Sequence, residues 1–151
     1  MLGFSRTKWV GVERSGDNIY LAHGVLEDHI YGMEIDVEVR SPEFTITAIS
    51  GKMRRITTPE CPKAVPALQN AVGMRLDAPD LAGTVNRKVG RAGCRHFANL
   101  LLECCDAVLR CALYEKWTGA AVKENSDREK YLKARLEDLP LIKDSCLATR
   151  T

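Results

Sequence analysis

No stretch of this chain reads as long and apolar enough to span a bilayer, and no leader is expected, since Met1-Leu2-Gly3-Phe4 runs straight into polar residues. The expected setting is the cytoplasm, with no membrane partner. Charge of one sign is also lacking. Lys and Arg number 22 against 20 Asp and Glu, and that near balance gives no electrostatic case for a nucleic-acid partner. Aromatic residues are only 6% of the chain. Trp9 and Trp117 stand too far apart to suggest a platform on which bases stack. Repeats and low-complexity segments are missing as well.

What is there is ordinary globular material: 45% hydrophobic and 28% charged residues in 151. That length suits one domain with a real core, taken here as residues 1–151, with strands over about 18–56, helices over about 59–139 and a docked tail over 140–151. The unusual content is six cysteines. With no export signal expected, and with a core large enough to need no staples, they read as thiols rather than as a disulfide framework.

The expected fold class is α+β. Asn18–Asp28, His29–Arg40 and Phe44–Met53 read as three strands, with Ser41-Pro42-Glu43 as a turn. In the second strand Tyr31, Met33, Ile35, Val37 and Val39 share one face, and Gly32, Glu34, Asp36, Glu38 and Arg40 share the other. Short links imply an antiparallel meander, covered on one face by helices. His29 has the parity of Ile35 and Val37 and is expected on the covered face. The helices are expected over Pro59–Gly73, Asp80–Val89 with Asp77 or Asp80 as cap, Cys94 to about Trp117, and Asp127–Leu139. Phe97, Leu100, Leu101, Cys104, Val108 and Ala112 form the apolar stripe of the long one, and Thr118-Gly119 is its expected end. Cys104, Cys105 and Cys111 fall inside that helix and read as packing.

The chemistry concentrates in Gly90-Arg91-Ala92-Gly93-Cys94-Arg95-His96, which opens the long helix. A cysteine at a helix N-terminus between two arginines is favoured as thiolate by the dipole and by the cations. The glycines let the backbone come close to something. A second cysteine, Cys61, opens the earlier helix in Pro59-Glu60-Cys61-Pro62. Taken alone, Cys61 reads equally well as a small buried residue. Two thiols and a neutral imidazole make a plausible shell for zinc or iron. His29, Cys61 and Cys94 are the expected ligands, completed by His96 or by Cys146. Residues two apart on a helix diverge by about 200°, so Cys94 and His96 share an ion only if Cys94 lies at the cap. Arg55, Arg91 and Arg95 are the candidate contacts for an anionic ligand.

The segments Asp28-His29-Ile30, Met53 to Ala64, and Gly90 to Phe97, together with Asp144-Ser145-Cys146, resemble the bacterial domain-of-unknown-function family 2889. That family has a His near a strand start, a Cys-Pro at a helix start and a Gly-Cys-x-His-Leu-type helix opening; here Phe97 stands where Leu is expected. It brings no established activity. In architecture the chain is also similar to iron–sulfur cluster scaffold proteins of the NifU type. The resemblance implies ligands at His29, Cys61 and the Cys94/His96 pair, although His replaces Cys at the strand start and Cys-x-His replaces an adjacent His-Cys pair.

Three functions follow as expectations. One is a protein binding zinc, iron or a small iron–sulfur cluster, as scaffold, carrier or catalyst, with the metal ion as its expected partner and room for a protein partner. Another is an enzyme with Cys94 as nucleophile, in which Arg91, Arg95 and helix N–H groups hold an anionic centre. The last is an interaction module whose thiols are merely packed.

Overall fold

The structure, a computed structural model, describes residues 3–121 and residue 143, with side chains placed through residue 116 and at 143. The chain divides into two compact units, Met1–Val108 and Leu109–Thr151. The first holds an α+β fold built on a four-stranded antiparallel sheet in the order β1 (Arg6–Arg14), β2 (Ile19–Asp28), β3 (Gly32–Arg40), β4 (Thr45–Arg55).

Alternation in β2 and β3 sends Tyr20, Ala22, Leu26, Met33, Ile35, Val37 and Val39 to one face, where all are buried. In β4 the buried residues are Ile46 and Ile49, three apart rather than two. A register shift between Glu38 and Val39 accounts for this: Ile46 lies opposite Val39 while Ile49 lies opposite Val37.

The sheet has one strand more than the three expected. The missed strand is β1, whose register places Arg6 opposite Asp28 and Lys8 opposite Leu26. Its residues on the covered face therefore begin with two cations, and the alternation carries no apolar signal at that end. Lys8 closes an ion pair with Glu103 from the helix above.

Helices follow the sheet. The expected α-helix over Pro59–Gly73 is instead a 3-10 helix, Cys61–Ala71, burying Leu68 and Ala71. Pro62 fits its first turn, but Pro66 stands inside it. That ring has no N–H for an α-type bond and crowds the carbonyl four residues back, so the segment winds more tightly. Gly73, at φ 86°, ends it as expected. Helix α1 (Leu81–Val85) runs into a π-helical turn, Asn86–Arg91. Neither expected acid caps α1 with its side chain: Asp80 takes Arg87 at 2.9 Å, and Asp77 takes Arg75 at 2.9 Å.

Helix α2 spans Arg95–Ala121, so Thr118-Gly119 does not stop it; an interior glycine weakens a helix without breaking it. The expected stripe is buried, with Phe97, Leu100, Leu101, Cys104 and Val108 each at 0% exposure. The stripe rests on β2 where that strand has no side chain. A Cβ on Gly24 would come 2.7 Å from Cys104 Sγ and 3.1 Å from Leu100 Cγ. Cys105 is buried and Cys111 half-buried, in keeping with packing roles. No helix among the described residues is long and apolar enough to cross a membrane. The expected last helix, Asp127–Leu139, and the tail apart from residue 143, Cys146 included, lie outside the described residues.

Gly24→Val should destabilise the first unit by about 1–3 kcal/mol, the usual range for overpacking a filled core. Denaturant unfolding followed by circular dichroism measures it. An unchanged midpoint would show that α2 does not press on β2 as described.

Candidate functional site

Three segments meet at the end of the sheet where β2 turns into β3. They are that turn, the loop from β4 into the 3-10 helix, and the start of α2. The turn is organised by Asp28, the one charged residue that is buried among those described. Its Oδ1 accepts the N–H groups of Ile30 and Tyr31, each at 2.6 Å, and its Oδ2 accepts Arg6 Nε at 2.6 Å. Burial would raise the Asp28 pKa. The two backbone N–H groups and Arg6 outweigh burial and hold it at about 2, below its ordinary 3.8.

That turn corrects the reading of His29. The strand begins at Gly32 rather than at His29, so the parity counted back from Ile35 does not reach it. Asp28 is buried and His29 is exposed, with its ring edge-on to Phe4 at 5.8 Å. Arg55 is engaged locally: it pairs with Glu27 at 2.5 Å and donates to the Asp28 carbonyl. Of the neighbouring cations on β4, Arg54 forms a two-pronged pair with Glu34 at 3.0 and 2.9 Å.

The start of α2 is set by close backbone approach. A Cβ on Gly93 would lie 2.6 Å from Ala67 Cβ and 2.9 Å from the Ala64 carbonyl oxygen. Only glycine lets the chain come this near the 3-10 helix, which is the close contact the two glycines predicted. The N–H of Cys94 bonds to the Val89 carbonyl at 3.1 Å, continuing the π-type spacing. The Cys94 carbonyl accepts the Ala98 N–H at 3.1 Å, the first bond of α2. Cys94 is therefore the N-cap residue. That position, outside the helical turn, lets its sulfur lie 3.8 Å from His96 Nδ1 despite their spacing of two. Arg91 and Arg95 on either side are exposed.

His96 is enclosed by groups from other elements. Its Nε2 is 3.5 Å from Arg6 Nη2, and its ring is 4.4 Å from that of Tyr31, centre to centre. Burial and then the Arg6 charge push His96 below the ordinary imidazole value of 6.5, against a smaller pull from Asp28. The ring is thus neutral at neutral pH.

Tyr31 also reaches the other thiol. Its hydroxyl is 3.5 Å from Thr57 Oγ1, which is 3.5 Å from Cys61 Sγ; Thr58 Oγ1 is likewise 3.5 Å from that sulfur. Hydrogen bonds from the Thr57 and Thr58 hydroxyls, then from their backbone, lower the Cys61 pKa from 9.0 to about 6. A thiolate only accepts, so both threonines donate to it. With its one proton used, the Thr57 hydroxyl takes its remaining contact as an acceptor from Tyr31. Cys104 and Cys105, by contrast, are pushed up to about 12 by burial.

Cys61, Cys94 and His96 are thus linked through Tyr31 and Thr57, whereas Cys146 lies outside the described residues. Among the described residues, no three His, Cys, Asp or Glu side chains are grouped so as to hold a metal ion. Sequence reasoning missed Arg6, Asp28, Tyr31, Thr57 and Thr58. The Asp-x-x-Tyr turn was visible as a strand break, and Thr57-Thr58 stands just before Cys61. The role of Arg6 depends on the pairing of a strand whose first residues left no apolar pattern.

Two measurements follow. Alkylation of Cys61 by iodoacetamide should be half-maximal near pH 6, and Thr57→Val with Thr58→Val should move that midpoint upward. An unmoved midpoint would remove the hydroxyls as its cause. A carboxylate held below its ordinary value adds stability that is fully present above pH 3.8 and is lost as pH falls through about 2. Asp28→Asn should therefore lower the melting temperature at neutral pH and flatten its decline across that acid window.

No curated protein and no solved structure matches this chain. The family described as protein of unknown function DUF2889 matches residues 15–110, well over half of the 151. Asp28, Tyr31, Cys61, Cys94 and His96 all fall inside that range, and on this match the chain belongs to the DUF2889 family.

Proposed function

We propose that this chain works by thiol chemistry, with Cys94 as the nucleophile and a small anionic molecule as its substrate. The observation that carries the reading is the Cys94 sulfur at the cap of α2, 3.8 Å from His96 Nδ1 and flanked by the exposed Arg91 and Arg95. N–H groups in the first turn of a helix have no intrahelical acceptor. Together with the two arginines they favour a negative group beside the sulfur. In the reaction the thiolate lone pair forms a bond to an electrophilic carbon of the substrate, and the leaving group departs with the electrons of the bond it breaks. Cys61 supplies a second thiolate at the same end of the sheet. The buried Cys104 and Cys105 take no part.

A bound zinc or iron ion, or a small iron–sulfur cluster, is the second reading. What favours it is that Cys61 is held as thiolate and His96 as neutral imidazole, the forms a metal takes. A further donor would come from His29 or Cys146.

The test compares iodoacetate with iodoacetamide on the full chain, with modified residues located by mass spectrometry. Cys94 should favour the anionic reagent over the neutral one about fivefold more than a free thiol does. Arg91→Ala with Arg95→Ala should remove that preference. No preference at Cys94 in the wild type would overturn the nucleophile reading. Stoichiometric metal in anaerobically purified protein, lost in Cys94→Ser and kept in Cys111→Ser, would establish the second reading instead.

A further inference from the structure

We infer that Arg6 fixes the tautomer of His96, so that the ring atom facing Cys94 carries a proton and donates to the sulfur instead of accepting from it. The inference deepens the thiol reading and rests on it for its chemical consequence. A guanidinium has donors only and does not lose its charge in proteins. Its contact with His96 Nε2, at 3.5 Å, therefore makes Nε2 the acceptor. A neutral imidazole has one N–H, and with Nε2 accepting, that hydrogen is on Nδ1. Nδ1 is the atom 3.8 Å from Cys94 Sγ. Two acceptors on one neutral ring are impossible, so while Arg6 stays in place His96 cannot take the thiol proton at Nδ1.

Arg6 is held in place from behind. Its Nε donates to Asp28 Oδ2 at 2.6 Å, and the Asp28 side chain is fully buried. Asp28 Oδ1 is filled by the two turn N–H groups, leaving Oδ2 for Arg6. The two residues face each other in register, Arg6 on β1 and Asp28 on β2. Tyr31, whose backbone N–H is one of those donors, lays its ring against the imidazole. Asp28 and Arg6 are thus positioning residues, acting on Cys94 through His96. The thiol proton leaves to solvent, and the Nδ1 proton stays on the ring to hold the sulfur in line.

This order of donors separates His96 from a general base by chemistry as well as by geometry. An asparagine side chain presents an N–H group about where Nδ1 stands, but it is no base. His96→Asn should therefore keep Cys94 alkylation close to the wild-type rate, while His96→Ala should slow it about tenfold, the loss of one hydrogen bond to a charged group. Equal slowing in both variants would mean that His96 works as a base and would overturn the inference.

The decisive readout is the ring itself. Long-range proton–nitrogen correlation spectra of the nitrogen-15-labelled full chain at neutral pH should show His96 protonated at Nδ1 and bare at Nε2. Cys94→Ala should leave that assignment unchanged, because Arg6 sets it and the sulfur does not. Arg6→Met should release the ring to its Nε2–H form, the one an unrestrained imidazole favours in water. A wild-type proton at Nε2, or a switch of tautomer in Cys94→Ala, would overturn the inference even if Arg6→Met failed to fold. None of these spectra depends on Cys94 being a nucleophile. A missing iodoacetate preference with the tautomer as stated would remove the proposed function and leave the inference standing.

Discussion

The site depends on one buried carboxylate. Asp28 ends a strand inside the covered face, where an unmatched charge would be costly. The chain meets that cost with three donors drawn from two directions. Two come from the turn that Asp28 itself begins, which fixes how β2 passes into β3 and where Tyr31 emerges. The third comes from Arg6 on the edge strand, which fixes the side chain that reaches His96. The same atom group therefore shapes the hairpin, anchors β1 and orients the imidazole. Exposed pairs such as Lys63–Glu60 do none of this, since solvent screens them and nothing else leans on their geometry.

The second constraint is backbone proximity. The 3-10 helix and the entry to α2 approach until only glycine fits at position 93. A continuous α-helix from Leu81 would have carried Cys94 around its surface as one more helical side chain. The π-helical turn over Asn86–Arg91 changes the phase, and the break after it leaves Cys94 half in and half out of α2. Irregular backbone of this kind is uncommon and is found often at functional positions. Here its effect is concrete: it turns an i, i+2 pair that would point apart into a sulfur and a ring nitrogen in contact.

Much of the fold was legible in the sequence because its signals are local. Alternation from Met33 to Val39 gives β3 and its buried face directly, and the spacing of Phe97, Leu100, Leu101 and Cys104 gives the inner side of α2. The cap position of Cys94 was legible as a requirement, since a shared role with His96 demanded it. The errors have physical causes. β1 was missed because Arg6 and Lys8 occupy positions where a strand normally shows apolar residues, and their partners lie far along the chain in Asp28 and Glu103. His29 was misplaced because parity holds only within a strand, and a turn intervenes before Gly32. The α-helix expected at Cys61 tightened to 3-10 around Pro66. Tyr31, Thr57 and Thr58 carry no motif; their part appears only when the turn and the helix starts are brought together.

Both thiols share one logic once the hydrogens are assigned. A group with no proton to give can only end a chain of donors, and a group with no acceptor can only begin one. Cys61, as thiolate, is such an end: Tyr31 donates to Thr57, and Thr57 and Thr58 donate to sulfur. Arg6 is such a beginning: it donates to His96, and His96 then faces Cys94 with its only N–H. Tyr31 stands in both lines, by its hydroxyl in one and by its ring in the other. A change at the Asp28 turn that moved Tyr31 would thus disturb both sulfurs together. The two cysteines are coupled through the single buried turn that orients the donors of each.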